Sequence, residues 1–111
     1  MESVQMPTNE EIYDEAVALH SQGKTDDAIG KLNELVAQTS DYALAYSALS
    51  VYYGKQEQYD EALENARKVC ELEPNDPFSF VALSLVCQKG GQFEEAENAL
   101  VRARQVEAAL E

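Results

Sequence analysis

The chain has 111 residues, 45% of them hydrophobic, and a formal net charge of −13 from 21 acidic and eight basic side chains. That is enough chain for one domain with a modest core, and so few Lys and Arg argue against a nucleic acid partner, whose phosphates are bound through cations. No apolar run approaches the roughly 18–20 residues of a membrane span, and the start "MESVQMPTNEE" lacks the basic and apolar regions of a secretory signal, so a cytoplasmic protein with no membrane partner is expected.

Helix formers dominate, prolines and glycines are few, and the predicted elements are all helices. Residues 1–8 are expected to form a flexible tail. Thr8 followed three residues later by Glu11 has the form of a capping box, and Ile12, Ala16 and Leu19 then step by four and three along a first helix. Gln22-Gly23 breaks it. Thr25 with Asp26 and Asp27 places negative charge where a helix N-terminus favours it, and Ala28, Leu32 and Leu35 carry a second helix. The same order returns after Gln56-Glu57, where Tyr59-Asp60-Glu61-Ala62 opens a helix, and after Gly90-Gly91, where Phe93-Glu94-Glu95-Ala96 does. Pro74 and Pro77 flank a boundary where one helix must stop and another can begin.

Sliding the chain against itself by 34 residues brings these segments into line. Ala28, Ala62 and Ala96 superpose, as do Ile12, Tyr46 and Phe80, the small residues Ala16, Ser50 and Ser84, and Leu35, Val69 and Ala103. Three copies, 9–42, 43–76 and 77–110, form a single repeat domain. Each copy reads as a helix, a tight turn and a second helix. The small residues let the paired helices approach closely, and Tyr46, Tyr59, Phe80 and Phe93 are expected to fill the wider gaps. One hairpin cannot bury its apolar face, so neighbouring copies must stack on it.

In this pattern the sequence resembles a tetratricopeptide repeat protein. The middle copy carries the resemblance best, through Tyr46, Leu49, Ser50, Tyr53, Tyr59, Ala62 and Pro74; the third has Cys87 in place of a Tyr, and the first has Glu15 in place of a Leu. The resemblance implies an all-α fold, a right-handed α–α solenoid of six helices in three helix-turn-helix repeats. It also implies a concave groove, lined by the first helix of each copy, that binds a peptide. By the family's geometry the lining is Tyr13, Val17, His20, Leu44, Ala48, Val51, Phe78, Val81, Ala82 and Leu85, with Glu10, Asp14, Lys55 and Lys89 on the rim. Family members that hold the C-terminal carboxylates of heat-shock chaperones use Lys, Arg and Asn where this chain has Tyr13, Val17, Ala48, Phe78 and Ala82, so that use is excluded. An apolar or amphipathic segment of another protein, with some basic character, is the expected partner. An acidic three-repeat protein of this kind is also similar to the small repeat chaperones of bacterial secretion systems.

Arrays of this family end on a capping helix, and this sequence stops after the second helix of its third copy. Leu100, Val101, Ala103, Val106 and Leu110 are therefore expected to be partly uncovered, and the competing expectation is a scaffold that forms homo-oligomers through them. No enzyme is expected: the one histidine, His20, has no serine or cysteine nucleophile beside it, and no glycine-rich phosphate loop is present. Cys70 and Cys87 have no metal-ligand spacing and read as buried free thiols, so neither metal nor cofactor is expected.

Overall fold

A computed structural model describes residues 5–111; of the expected tail over residues 1–8, the first four lie outside the described residues. Six helices follow one another: α1 (Asn9–Ser21), α2 (Thr25–Gln38), α3 (Ala43–Lys55), α4 (Tyr59–Leu72), α5 (Pro77–Lys89) and α6 (Phe93–Ala109). They pair as hairpins α1–α2, α3–α4 and α5–α6, and the hairpins stack through α2–α3 and α4–α5. The radius of gyration, 15.5 Å, exceeds the roughly 13 Å of a compact domain of this length, and the extents of 56 × 32 × 20 Å describe a short rod.

Local chemistry sets the helix limits. The Thr8 side chain accepts from the Glu11 backbone N–H while the Glu11 carboxylate accepts from that of Thr8, so the expected capping box forms. Asp76 caps α5 by accepting from the Phe78 N–H, with Pro77 in the first turn, where a missing N–H costs nothing. The turn inside each hairpin repeats in atomic detail. Gly23, Glu57 and Gly91 take the left-handed conformation, at φ 81°, 60° and 78°. After each, a backbone N–H reaches back to the last turn of the preceding helix: Lys24 to Leu19 at 2.9 Å, Gln58 to Tyr53 at 3.0 Å and Gln92 to Cys87 at 2.8 Å. This closure satisfies carbonyls that the helix end would leave unpaired.

Two apolar clusters hold the stack together. The first joins Ala16, Ala28, Ile29, Leu32 and Leu35 to Ala45, Ala48, Leu49 and Tyr52; the second joins Leu63, Ala66 and Cys70 to Leu83, Cys87, Ala96 and Ala99. Both cysteines are buried free thiols. Burial pushes each thiol above its ordinary pKa, so both stay protonated and unreactive. Arg67 bridges the second and third hairpins through a fork to Glu95, with Nε 2.7 Å from Oε2.

Three expectations need correction. Phe93 fills no gap: it is 67% exposed, whereas its counterpart Tyr59 packs on the Gly90 turn of the next copy. Ala103 and Val106 are buried rather than uncovered, since they lie on the side of α6 turned into its own hairpin. Ala48 belongs to the first cluster rather than to an open groove lining.

Candidate functional site

Helices α3 and α5 carry apolar side chains on every side, whereas α4 is sharply two-faced. A helix apolar all round is normally covered all round. Here only the inner side is covered. Leu44 (56%) and Val51 (51%) of α3 and Phe78 (77%), Val81 (36%) and Leu85 (55%) of α5 remain in solvent. Singly exposed apolar residues mean little, but a contiguous set on one face marks an interaction surface.

Between α3, α4 and α5 this surface deepens into a cleft of about 400 Å³. It brings together Val51, Phe78, Ala82, Leu85, Lys55 and Lys89 from the expected groove. Its floor is Tyr59, Ala66 and Val69 of α4 with Ser79 and Val86 of α5, none of them among the residues expected there.

A signal for the cleft does exist in the sequence. Four positions that face one another across each inter-repeat junction hold Tyr13, His20, Leu32 and Tyr52 at the first junction. Thirty-four residues on they hold Ser47, Gly54, Ala66 and Val86. Every substitution is to a smaller residue, and all four of the smaller ones line the cleft. At the first junction the large residues occupy the equivalent space. Leu32 is fully buried, Tyr13 packs on the first cluster and on Tyr42 with ring centroids 6.3 Å apart, and His20 stacks on Tyr52 at 4.1 Å. Tyr13, Val17 and His20 are thus only partly exposed and add little open groove.

His20 has a structural assignment. Its Nε2 lies 3.1 Å from the Lys55 Nζ, which can only donate, so Nε2 accepts and the Nδ1–H donates to Thr25 Oγ1 at 3.0 Å. Stacked and bonded at both nitrogens, it braces the α1–α2 turn against the end of α3. Burial raises the pKa of Tyr52 beneath it, the Tyr13 phenol adding a smaller push, so Tyr52 stays neutral. Glu10 and Asp14 stand exposed on α1, beyond the filled junction. Among the described residues no group of three or more His, Cys, Asp or Glu side chains is placed to hold a metal ion, and no helix is long and apolar enough to cross a membrane.

Stacked two-helix hairpins with matched turns define a helical repeat array. The tetratricopeptide repeat profile matches residues 43–76, and with six helices in three like hairpins the chain is a tetratricopeptide repeat protein, a right-handed α–α solenoid. It is 35% identical over 88 residues to the Homo sapiens protein O-mannosyl-transferase TMTC1, a match that covers 79% of this chain and 10% of that protein's length. Among solved structures, MamA superposes with a TM-score of 0.83 at 24% identity over 92% of this chain and 60% of its own. The Yersinia enterocolitica type III secretion translocator chaperone SycD superposes with a TM-score of 0.81 at 20% identity over 96% and 81%. At these identities the structural likeness is one of fold.

Proposed function

We propose that the chain is a non-catalytic protein-interaction module that takes an apolar or amphipathic segment of a partner protein into the groove of Leu44, Val51, Phe78, Val81 and Leu85, with the cleft between α3 and α5 as its anchor. The observation that carries this reading is the uncovered side of two helices that are apolar all round. A cleft of about 400 Å³ lies within the range of sites that seat a few apolar side chains. Solenoid repeats use their concave surface for binding, and SycD, of like fold, is named as a chaperone. The net charge of −13 favours a partner that is basic at long range. A reducing compartment such as the cytoplasm suits two buried, unpaired thiols.

Self-assembly through α6 is less well supported. Where α4 presents Leu63 and Cys70 to the next hairpin, α6 has Glu97 and Arg104, both exposed. Val101 and Phe93 are open on that face, but a second copy seated there would have to bury the two charges as well.

The test places a photoreactive benzoylphenylalanine at Phe78 of the full chain expressed in cells, followed by mass spectrometry of the crosslinked species. A partner protein that crosslinks there, and is lost when Val51→Glu and Leu85→Glu are added at unchanged thermal stability, is the expected result. Crosslinks only to a second copy of the chain, or crosslinks indifferent to the two Glu substitutions, overturn the reading.

A further inference from the structure

The five exposed apolar side chains do not all belong to the cleft. Val51, Phe78 and Leu85 line it, whereas Leu44 and Val81 lie outside it on the same two helices. Helices α1, α3 and α5 begin and end 34 residues apart, so residues at that spacing hold equivalent places along them. Leu44 and Phe78 therefore form one row, and Val51 and Leu85 a second, two helical turns or about 10 Å further along. Between the rows, the residues turned to the same side are Ser47 and Ala48 on α3 and Val81 and Ala82 on α5. A segment lying along the cleft would leave Leu44 and Val81 in water. One that crosses α3 and α5 between the two rows covers all five. Its backbone would find almost no partners there. Ser47 is the one polar residue of those four, Ser50 is buried, and the Ser79 hydroxyl is already given to the Glu73 and Asp76 carbonyls at 3.1 and 2.7 Å. Asp76, Lys55, Lys89 and Tyr59 stand at the helix ends, off this crossing. An extended segment would thus leave N–H and C=O groups dry and unpaired, which costs free energy for every one of them. A helix pairs them internally, and its diameter of about 10–12 Å with side chains matches the spacing of the rows.

The same rows continue onto α1 and change character there. Glu10 takes the position of Leu44 and Phe78, and Asp14 that of Ala48 and Ala82; both are exposed, one turn apart on one face. From this we infer, building on the groove reading above, that the partner segment is an amphipathic helix that crosses α5 and α3, with its apolar face on the five exposed side chains and Lys or Arg at the end that overlies Glu10 and Asp14. Such a helix makes its contacts through apolar residues at i, i+3 or i+4 and i+7. The junction beside α1 is filled, so that end meets a charged surface rather than a pocket, and the long stems of Lys and Arg suit it. The net charge of −13 adds attraction for a basic end at longer range. The groove thereby gains a direction: the basic end of the helix lies on the first hairpin, and its apolar end on the third.

A random library of peptides about 15 residues long, roughly four helical turns, displayed on phage and selected against the full chain, tests this. The expected enriched set has apolar residues at helical spacing and Lys or Arg towards one end. The best synthetic member should gain helical circular dichroism on binding. Proline at a polar position in its middle should weaken it on the order of a hundredfold, the effect of breaking a helix interior. It should bind roughly three- to tenfold more weakly to Glu10→Gln/Asp14→Asn, the range for one or two charge pairs near a surface. Glu64→Gln/Glu107→Gln, which changes net charge equally at exposed positions on α4 and α6, should bind it as the parent does. A best peptide that tolerates the proline, or a loss equal in the two double variants, overturns the inference and leaves the groove reading standing. A best peptide held equally well by Val51→Glu/Leu85→Glu, or no enriched set at all, overturns both.

Discussion

The junction between the first and second hairpins and the junction between the second and third are built from corresponding helices with like hairpin turns, yet one is filled and the other is open. Tyr13, His20, Leu32 and Tyr52 occupy the first; Ser47, Gly54, Ala66 and Val86 leave the second as a cleft. The same order of helices thus accommodates a solid junction at one step and a hollow one at the next. Side-chain volume at four positions decides it. A single chain can therefore keep one junction as a rigid block and give the next one over to a ligand, without any change of fold.

The largest effect should come from hollowing the filled junction. Leu32 is fully buried in the first cluster, and Leu32→Ala removes its packing and leaves a void, at a cost of about 3–4 kcal/mol. Its counterpart change, Ala66→Leu, puts the same side chain on the floor of an existing cleft and should alter stability by less than about 1.5 kcal/mol. Urea unfolding followed by circular dichroism reads both. Equal and opposite effects would mean that the two junctions differ only in degree of packing, and the contrast between block and cleft would fail.

Next in size is the loss of binding when the open junction is given the residues of the filled one. Ser47→Tyr with Gly54→His places an aromatic and an imidazole where the cleft lies. An added Cβ at Gly54 meets nothing within 4 Å, so the change should be tolerated. Peptides that bind the cleft should weaken by at least roughly tenfold, the equivalent of losing one well-seated apolar side chain, with thermal stability unchanged. Retained affinity, measured by fluorescence anisotropy, would move the site to the shallower surface of Leu44 and Val81.

Much of this is legible in the amino-acid sequence. The 34-residue register, the capping box at Thr8 and the breaks at Gly23 and Gly91 all follow from local chemistry, and each helix limit lies within a few residues of its signal. The exposure of Leu44, Val51, Phe78 and Leu85 is legible too, because repeat geometry assigns faces by position. What escaped was everything that depends on three helices meeting. The cleft floor belongs to α4, which a reading of groove-lining first helices passes over, and its existence turns on Ala66 standing where the neighbouring copies have Leu32 and Leu100. Ala48 and Ala82 hold the same position in their copies, yet one is buried and the other exposed, since the junction beside the first is filled. Position within a repeat names the face; the volumes opposite decide whether that face is open.

A smaller effect separates the junctions electrostatically. The fork from Arg67 to Glu95 ties α4 of the second hairpin to α6 of the third, and Arg67 holds the Glu95 carboxyl below the usual carboxylate range. The folded pKa is lowered, so the stabilisation is fully present above the unfolded value of about 4.3 and is lost as pH falls through the folded value. The pair is partly exposed, and its worth is about 0.5–1 kcal/mol. Arg67→Ala should lower stability by that amount at pH 7 and flatten the decline of stability below about pH 4.5. A variant that loses the same stability at pH 7 and at pH 3 would show that Arg67 acts through packing rather than through charge.

The smallest effect lies in the hairpin turns, where the same comparison can be made with the backbone alone. Gly23 and Gly91 meet the left-handed conformation without a Cβ; Glu57, between the two, does not. A non-glycine residue there is strained by about 1 kcal/mol, and glycine returns part of that through its greater freedom in the unfolded chain. Glu57→Gly should therefore stabilise by about 0.5 kcal/mol, and Gly91→Ala should destabilise by about 1 kcal/mol. Because Glu57 follows α3 directly beneath Lys55 and Gln56, the relaxed turn would also show whether the edge of the cleft depends on that strain. If Glu57→Gly gains stability and leaves peptide affinity unchanged, the strain serves nothing at the cleft. If it gains stability and loses affinity, the left-handed glutamate is part of what sets the Lys55 end of the groove.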